Sequence, residues 1–434
     1  MRLKRFLFVL AVVAVAAGSA RAGEFIKKDD LLTVAKCVDI ALKNHPSVIA
    51  AFGSVNAGIS RVEQARAGYY PELGATSGYA KKSPVTQSTQ TTARTTAAPN
   101  NPTDEYNATL SLKQTIYDFG KISGQVEVQR LGLDASRSDL ENARALIVFG
   151  VRQAYYTLLQ ATRNLATANE AIKQAETHLA QAKGFFEAGS KPRFDVTKAL
   201  VDVSNAKLNQ LKAVSAMKTA RVNLNNAMGA PNAPEYRIED NLSFSKFDIT
   251  FEAALETAYR IRNDLKSLSA KQRSAEEALS VAKKGYYPVL AGNASYGLSG
   301  QSFPLDDNWT FGATVTIPIF SGFLTKHQVE ESRASLDITR ANRDLLRQSV
   351  YLEVQQAYLN LKDAEERVPV AEIVVRQTEE NRELANERYK AGVGNSVEVA
   401  DAELQYVTAN TNYTQALYDY LVAEASLIKA MGAR

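Results

Sequence analysis

Residues 309–317 read WTFGATVTI, and residues 106–117 read YNATLSLKQTIY. In the first, Trp309, Phe311, Ala313, Val315 and Ile317 alternate with Thr310, Gly312, Thr314 and Thr316. In the second, Tyr106, Ala108, Leu110 and Leu112 alternate with Asn107, Thr109, Ser111 and Lys113. Successive side chains of a strand point to opposite faces, so a period of two gives one apolar and one polar face. Runs of about nine to eleven residues have the length of a membrane-crossing strand. Leu73, Ala75 and Tyr79, and Leu290, Ala294 and Tyr296, mark two weaker strands. Strands are therefore expected at about 70–80, 105–118, 287–298 and 308–320. Soluble hairpins with one wet face are the other reading of this alternation. Four strands cannot close a barrel, and an open edge in lipid would leave N–H and C=O groups unsatisfied. Strands of this kind in a membrane must be pooled between copies, and three copies give a 12-stranded barrel, inside the known range.

The strands belong to a chain that repeats itself. Gly68-Tyr69-Tyr70-Pro71 returns as Gly285-Tyr286-Tyr287-Pro288, 217 residues later. Gln153-Ala154-Tyr155 returns as Gln356-Ala357-Tyr358, Ala188-Gly189 as Ala391-Gly392, and Met228-Gly229 as Met431-Gly432, each 203 residues later. This internal two-fold repeat divides the chain into 23–229 and 251–434, joined by 230–250, which holds Pro231 and Pro234. The extra residues of the first half fall in 81–103, a Ser-, Thr-, Ala-, Asn- and Pro-rich stretch expected to be an exposed loop. Tyr69, Tyr70, Tyr286 and Tyr287 are placed to form an aromatic girdle at the membrane–water boundary.

Long helices follow each strand pair, at about 120–229 and 323–431. Ala154, Ala161, Ala168, Ala175 and Ala182 are seven apart, with Leu158, Leu165, Ile172, Leu179 and Phe186 offset by four. Ala199, Ala206, Ala213, Ala220 and Ala227 continue the pattern, and Ala402, Ala409, Ala416, Ala423 and Ala430 match them in the second half. An apolar period of 3.5 means left-handed supercoiling. Alanine in such a seam is expected to let helix axes approach closely. A helix from Gly120 to Ala188 would be about 100 Å long at about 1.5 Å per residue. Alone, these heptads also suit a soluble coiled coil.

Composition narrows the function. The 434 residues carry 51 Lys and Arg against 47 Asp and Glu, a net charge of +4, with 45% apolar residues. That is too apolar for disorder and too balanced for a nucleic-acid binder working by bulk charge. Cys37 is the single cysteine, so no intramolecular disulfide or cysteine metal site is expected, and His45, His178 and His327 form no ligand-spaced pair. No cofactor is expected. Arg2, Lys4 and Arg5, then an apolar run over 6–17 and Ala20-Arg21-Ala22, read as a signal peptide over 1–22. No later segment has the run of about 18 apolar residues that a membrane helix needs.

Several short pieces carry a resemblance. Gly68-Tyr69-Tyr70-Pro71, Ile116-Tyr117-Asp118-Phe119-Gly120, Pro318-Ile319-Phe320-Ser321-Gly322, and Arg388-Tyr389-Lys390-Ala391-Gly392 followed by Glu398 and Asp401, in this order and duplicated, make the chain similar to the TolC family of outer-membrane efflux proteins. The resemblance implies a mainly α fold with β: a trimeric β-barrel in the outer membrane and a large periplasmic α-barrel of coiled-coil helices. It implies an equatorial belt to which 230–250 and the N-terminal residues contribute. Gly120 and Gly322 would serve the strand-to-helix turns.

The resemblance also assigns roles. The helix-turn tips Gly189 and Pro192, and Gly392 and Gly394, would form the periplasmic entrance. Glu398 and Asp401, one helical turn apart, would give a trimer six carboxylates around a pore mouth, favouring cations. Helix-dipole stabilisation is the plainer role for the same acids. Asp195 and Tyr389 match a latch that ties the helices shut. Gly394 stands where the family's best-known member has an arginine, which puts that latch in question, with Arg193 as a substitute. The implied function is passive: a homotrimer in outer-membrane lipid, joined by a periplasmic adaptor to an inner-membrane transporter, in efflux or type I secretion. A soluble periplasmic coiled-coil scaffold and an exported enzyme are the rivals. No nucleophile elbow or phosphate-cradling loop supports the enzyme.

Overall fold

The computed structural model describes residues 26–83 and 102–433. The expected signal peptide lies outside the described residues, as does most of the expected 81–103 loop, whose ends belong to strands.

The element order passes twice through one succession. In the first pass, α1 (Val34–Asn44) and α2 (Pro46–Arg66) lead through a 3-10 turn to β2 (Glu72–Lys82), β3 (Thr103–Tyr117), α3 (Lys121–Glu187) and α4 (Arg193–Ala227). In the second, α5 (Phe251–Ile261) and α6 (Asn263–Lys283) lead through a 3-10 turn to β5 (Val289–Gly300), β6 (Asp306–Thr316), α7 (Leu324–Lys390) and α8 (Ser396–Ala430). α3 and α7 each have 67 residues, and α4 and α8 each have 35. Short β1 (Leu31–Leu32) and β4 (Arg237–Ile238) pair in parallel, bringing the N-terminal residues to the segment between the passes.

The chain forms two units. One comprises Ala51–Asn142 and Ile261–Tyr351. It holds an antiparallel sheet in the order β2-β3-β5-β6. Asp118 starts the helix after β3: its carboxylate accepts from the amides of Gly120 at 2.9 Å and Ile122 at 2.6 Å. Phe119 and Gly120 there, and Gly322 and Phe323 after β6, have positive φ. β6 stops at Thr316, short of the expected 320. Pro318 lacks an amide hydrogen and cannot continue a ladder, and Ile319 and Phe320 stand exposed at 94% and 75%.

The other unit comprises, of the described residues, 26–50, 143–260 and 352–433. Its core is built on tyrosine and leucine: Tyr155, Leu158, Leu224, Tyr389, Tyr420 and Leu427 are fully buried. Tyr155 donates to the carbonyls of Leu32 and Glu239, and the Tyr420 hydroxyl accepts from the Phe247 amide and lies 2.5 Å from the Ser245 carbonyl. These bonds fasten the irregular 230–250 segment to the helices. Cys37 is buried here, and burial pushes its thiol up to about 12, so it behaves as a small apolar residue.

The alanine seam is not uniform. Ala402, Ala409, Ala416, Ala423 and Ala430 of α8 are all buried. Ala161, Ala168 and Ala175 of α3, and Ala206 and Ala213 of α4, instead line an open slot of about 870 Å³ shared with α8. Ala182, Ala199 and Ala220 are buried, although Ala220 also lines the slot, so the expected tight seam is interrupted over these two helices. Alanine permits close approach without requiring it.

Candidate functional site

The sheet sorts its side chains by register. Leu73 pairs with Leu112, Ala75 with Leu110, Leu110 with Tyr296, Tyr296 with Trp309, and Ala294 with Phe311. These residues share one face, which carries Leu, Ala, Tyr, Trp and Phe across all four strands. The other face pairs Thr76 with Thr109, Ser111 with Ser295, Asn293 with Gly312 and Ser295 with Thr310. Leu73, Trp309, Phe311 and Val315 of the apolar face are exposed. A β-bulge at Ile116, between the Thr115–Ala291 and Tyr117–Leu290 pairs, swings Tyr117 onto the apolar face.

Tyr69, Tyr70, Tyr286 and Tyr287 all lie at the helix-proximal end of the sheet, each at least half exposed. Phe119 stacks on Tyr287 at 5.3 Å and meets Tyr117 at 4.8 Å, extending the group. A second aromatic group, missed in the sequence, sits at the far end: Tyr79, Tyr106 and Phe303, with ring centres 5.2 and 5.1 Å apart. Tyr79 and Tyr106 both lie on the apolar alternation, which was the signal available for finding them.

The second set of site residues gathers where α3 turns into α4 and α7 into α8. Both helices end in a glycine with positive φ, Gly189 at +73° and Gly392 at +81°. The amides of Ser190 and Gly394 reach back to the carbonyls of Phe185 and Arg388 at 2.9 Å. Pro192 is the residue before α4, where its fixed φ suits the entry. Asn395 caps α8, accepting from the Val397 and Glu398 amides at 2.9 Å.

The fold joins the two turns. The Tyr389 hydroxyl lies 3.4 Å from Asp195 Oδ2, and both residues are buried. Burial and the nearby Asp195 carboxylate push the Tyr389 phenol up to about 12, so it stays a donor. Lys191 Nζ donates to the Gly394 carbonyl at 2.9 Å and stands 5.4 Å over the Tyr389 ring. The cation at this joint is therefore Lys191, while Arg193 is exposed. An alanine Cβ at Gly394 would lie 2.9 Å from the Tyr389 backbone nitrogen, so the α7–α8 turn has no room for a side chain. His178 completes the cluster, its Nε2 3.0 Å from Ser396 Oγ and its ring 4.8 Å from that of Tyr389.

Glu398 and Asp401 are exposed on the first turns of α8. Glu398 accepts from Asn395 Nδ2 at 3.1 Å and lies 3.5 Å from Arg388. Asp401 lines the slot. No group of His, Cys, Asp and Glu able to hold a metal occurs among the described residues. No described helix is long and apolar enough to cross a membrane.

A sequence profile described as "Outer membrane efflux protein" matches residues 37–230 and 254–433. The chain belongs to the outer membrane efflux protein family. It is 21% identical over 414 residues to "Outer membrane protein TolC" of Vibrio cholerae, covering 92% of this chain and 90% of that protein. Among solved structures, CusC aligns with a TM-score of 0.81 at 16% identity, covering 94% of each chain. The Campylobacter jejuni CmeC outer membrane channel aligns at 0.80 and 19% identity, covering 92% of this chain and 85% of that one. The family is one of outer-membrane channels, not enzymes, and the outer membrane is where this protein acts.

Proposed function

We propose that three copies assemble into one outer-membrane duct, passively passing substrates delivered by an inner-membrane transporter through a periplasmic adaptor. The observation that carries this is the sheet, apolar on one face, lined with Ser, Thr and Asn on the other, and open at two edges. β2 and β6 each have one hydrogen-bonded neighbour. Unpaired edges in hydrocarbon cost several kcal/mol per group, and closing β6 of one copy onto β2 of the next removes the cost. Twelve strands result, with lipid outside and water within. Exposed apolar stripes support the same assembly: Ile338, Leu345, Leu352 and Leu359 recur at seven-residue spacing along α7, and Val201, Leu208, Leu211 and Val222 stand out on α4. These surfaces argue against a monomeric soluble scaffold.

In this reading the chain is a duplicated unit: residues 23–229 and 251–434 follow a signal peptide over 1–22, and 230–250 joins them at an equatorial belt. The matching element lengths of the two passes support it. The tips close the periplasmic mouth through Asp195, Tyr389 and Lys191, and Glu398 and Asp401 ring it with acid. The test is fractionation followed by reconstitution. Detergent-extracted protein from the outer membrane should cross-link to a trimer and form ion channels in planar bilayers. A water-soluble monomer without conductance would overturn the proposal.

A further inference from the structure

Of the three histidines, His178 alone is buried, at 7% exposed. Its Nε2 shares a hydrogen bond with Ser396, the first residue of α8, and its ring lies against Tyr389. Its Nδ1 is enclosed without a hydrogen-bond partner, at the end of the slot that His178 lines. A neutral imidazole tolerates this, because it loses one acceptor's bond. An imidazolium does not: both nitrogens become donors, and Nδ1–H has no acceptor where it lies. We propose that His178 is a proton-operated release for the joint between the two hairpin tips: neutral, it lets them close, and protonated, it parts them. The proposal rests on the channel reading and adds a control to its mouth.

The groups around the ring make this directional. α4 presents Asp195, Lys198 and Asp202, α7 presents Tyr389, and the first turn brings Lys191 over the Tyr389 ring. α8 presents Ser396, with Glu403 farther along the slot. Asp195 and Asp202 favour a charged ring and Lys198 opposes it, but Asp202 is held by Lys198 at 2.6 Å and Asp195 faces Tyr389. Burial is the largest influence and holds the imidazole below its ordinary 6.5. The positive end of α8 at Ser396 acts in the same sense. A base whose pKa is depressed in the closed state favours closure above its open-state value. That preference weakens as pH falls below 6.5. Asp202 Oδ2 is also enclosed and unpartnered in the slot, so a protonated ring has a destination. Turning to it draws the ring off Ser396 and Tyr389.

The test uses the full-length protein in detergent and in planar bilayers at pH 7.5 and 5.5. Spin labels at Phe186→Cys and Val393→Cys, both exposed tip positions, report the separation of the turns, while buried Cys37 stays unlabelled. Wild-type tips should separate at pH 5.5 and open probability should rise severalfold, whereas His178→Gln should show neither change. A wild-type pH response retained in His178→Gln, or tips that do not move, would overturn the proposal. Should His178→Gln fail to assemble, the wild-type midpoint decides: below pH 6.5 supports the release, and no transition or a higher midpoint refutes it. Tips that respond in a protein without conductance would refute the channel and leave the release standing.

Discussion

α4 and α8 have equal length and carry the same alanine heptads 203 residues apart, yet one seam is open and the other is closed. α8 buries Ala402, Ala409, Ala416 and Ala423, whereas α4 buries only Ala199 and Ala220 of its matching alanines, and Ala206, Ala213 and Ala220 all line the slot. The interleaved residues account for the difference. α8 offers Tyr406, Tyr413 and Tyr420 where α4 offers Val203, Gln210 and Met217. Aromatic rings fill the space that alanine leaves, and smaller or polar residues do not. Spacing therefore selects the residues that face a seam, and the volume of their neighbours decides whether it closes. Adding volume to each seam is the strongest way to break the comparison. Ala409→Leu should destabilise the protein by up to about 3 kcal/mol through overpacking, while Ala213→Leu, growing into the slot, should stay within about 0.5 kcal/mol of wild type. Denaturation midpoints in detergent would measure this. Equal losses at both sites would mean that the slot is filled in the assembled protein.

The turns extend the contrast. Gly394 sits against the Tyr389 backbone, and the methyl of Gly394→Ala must displace main-chain atoms, a cost of about 2 kcal/mol. Gly189→Ala meets open space and suffers only the left-handed conformation at φ +73°, about 1 kcal/mol. Tyr389→Phe removes a hydroxyl from buried Asp195 and should weaken tip closure by about 1 kcal/mol. Raised channel open probability in the order Gly394→Ala, Gly189→Ala, Tyr389→Phe is the expected readout. A silent Gly394→Ala would show that the second turn has slack.

Much of this was legible in the sequence, for physical reasons that also set the limits. Strict alternation at Tyr106–Leu112 and Trp309–Val315 marked strands, because only a pleated backbone sorts side chains with a period of two. Pro318, which has no amide hydrogen, marked the end of β6 as well, although the expected strand ran past it. The bulge at Ile116 had no local signature. The slot could not be read, since it depends on volumes contributed by four helices at once. Nor could His178, which meets Ser396 across 218 residues, a pairing fixed by the offset between two hairpin tips rather than by any heptad position.

The smallest expected effect on stability concerns the acids at the start of each helix. Glu398 and Asp401 of α8 occupy the positions of Asp195 and Lys198 in α4. α4 turns its acid inward to Tyr389 and balances Asp202 with the lysine, at 2.6 Å. α8 leaves two exposed acids, one partly engaged by Asn395 and Arg388. Exposed charges of this kind contribute little to stability, about 0.5 kcal/mol for the pair, but act on ions within a Debye length of about 10 Å. Glu398→Ala with Asp401→Ala should therefore lower cation preference and weaken block by multivalent cations in planar bilayers, with folding nearly unchanged. Asp401→Ala alone should account for the larger share, because Arg388 already offsets part of the Glu398 charge. Unchanged reversal potentials in the double variant would leave both as acids of the opening turns of α8, stabilising the helix dipole, and take them out of the pore mouth.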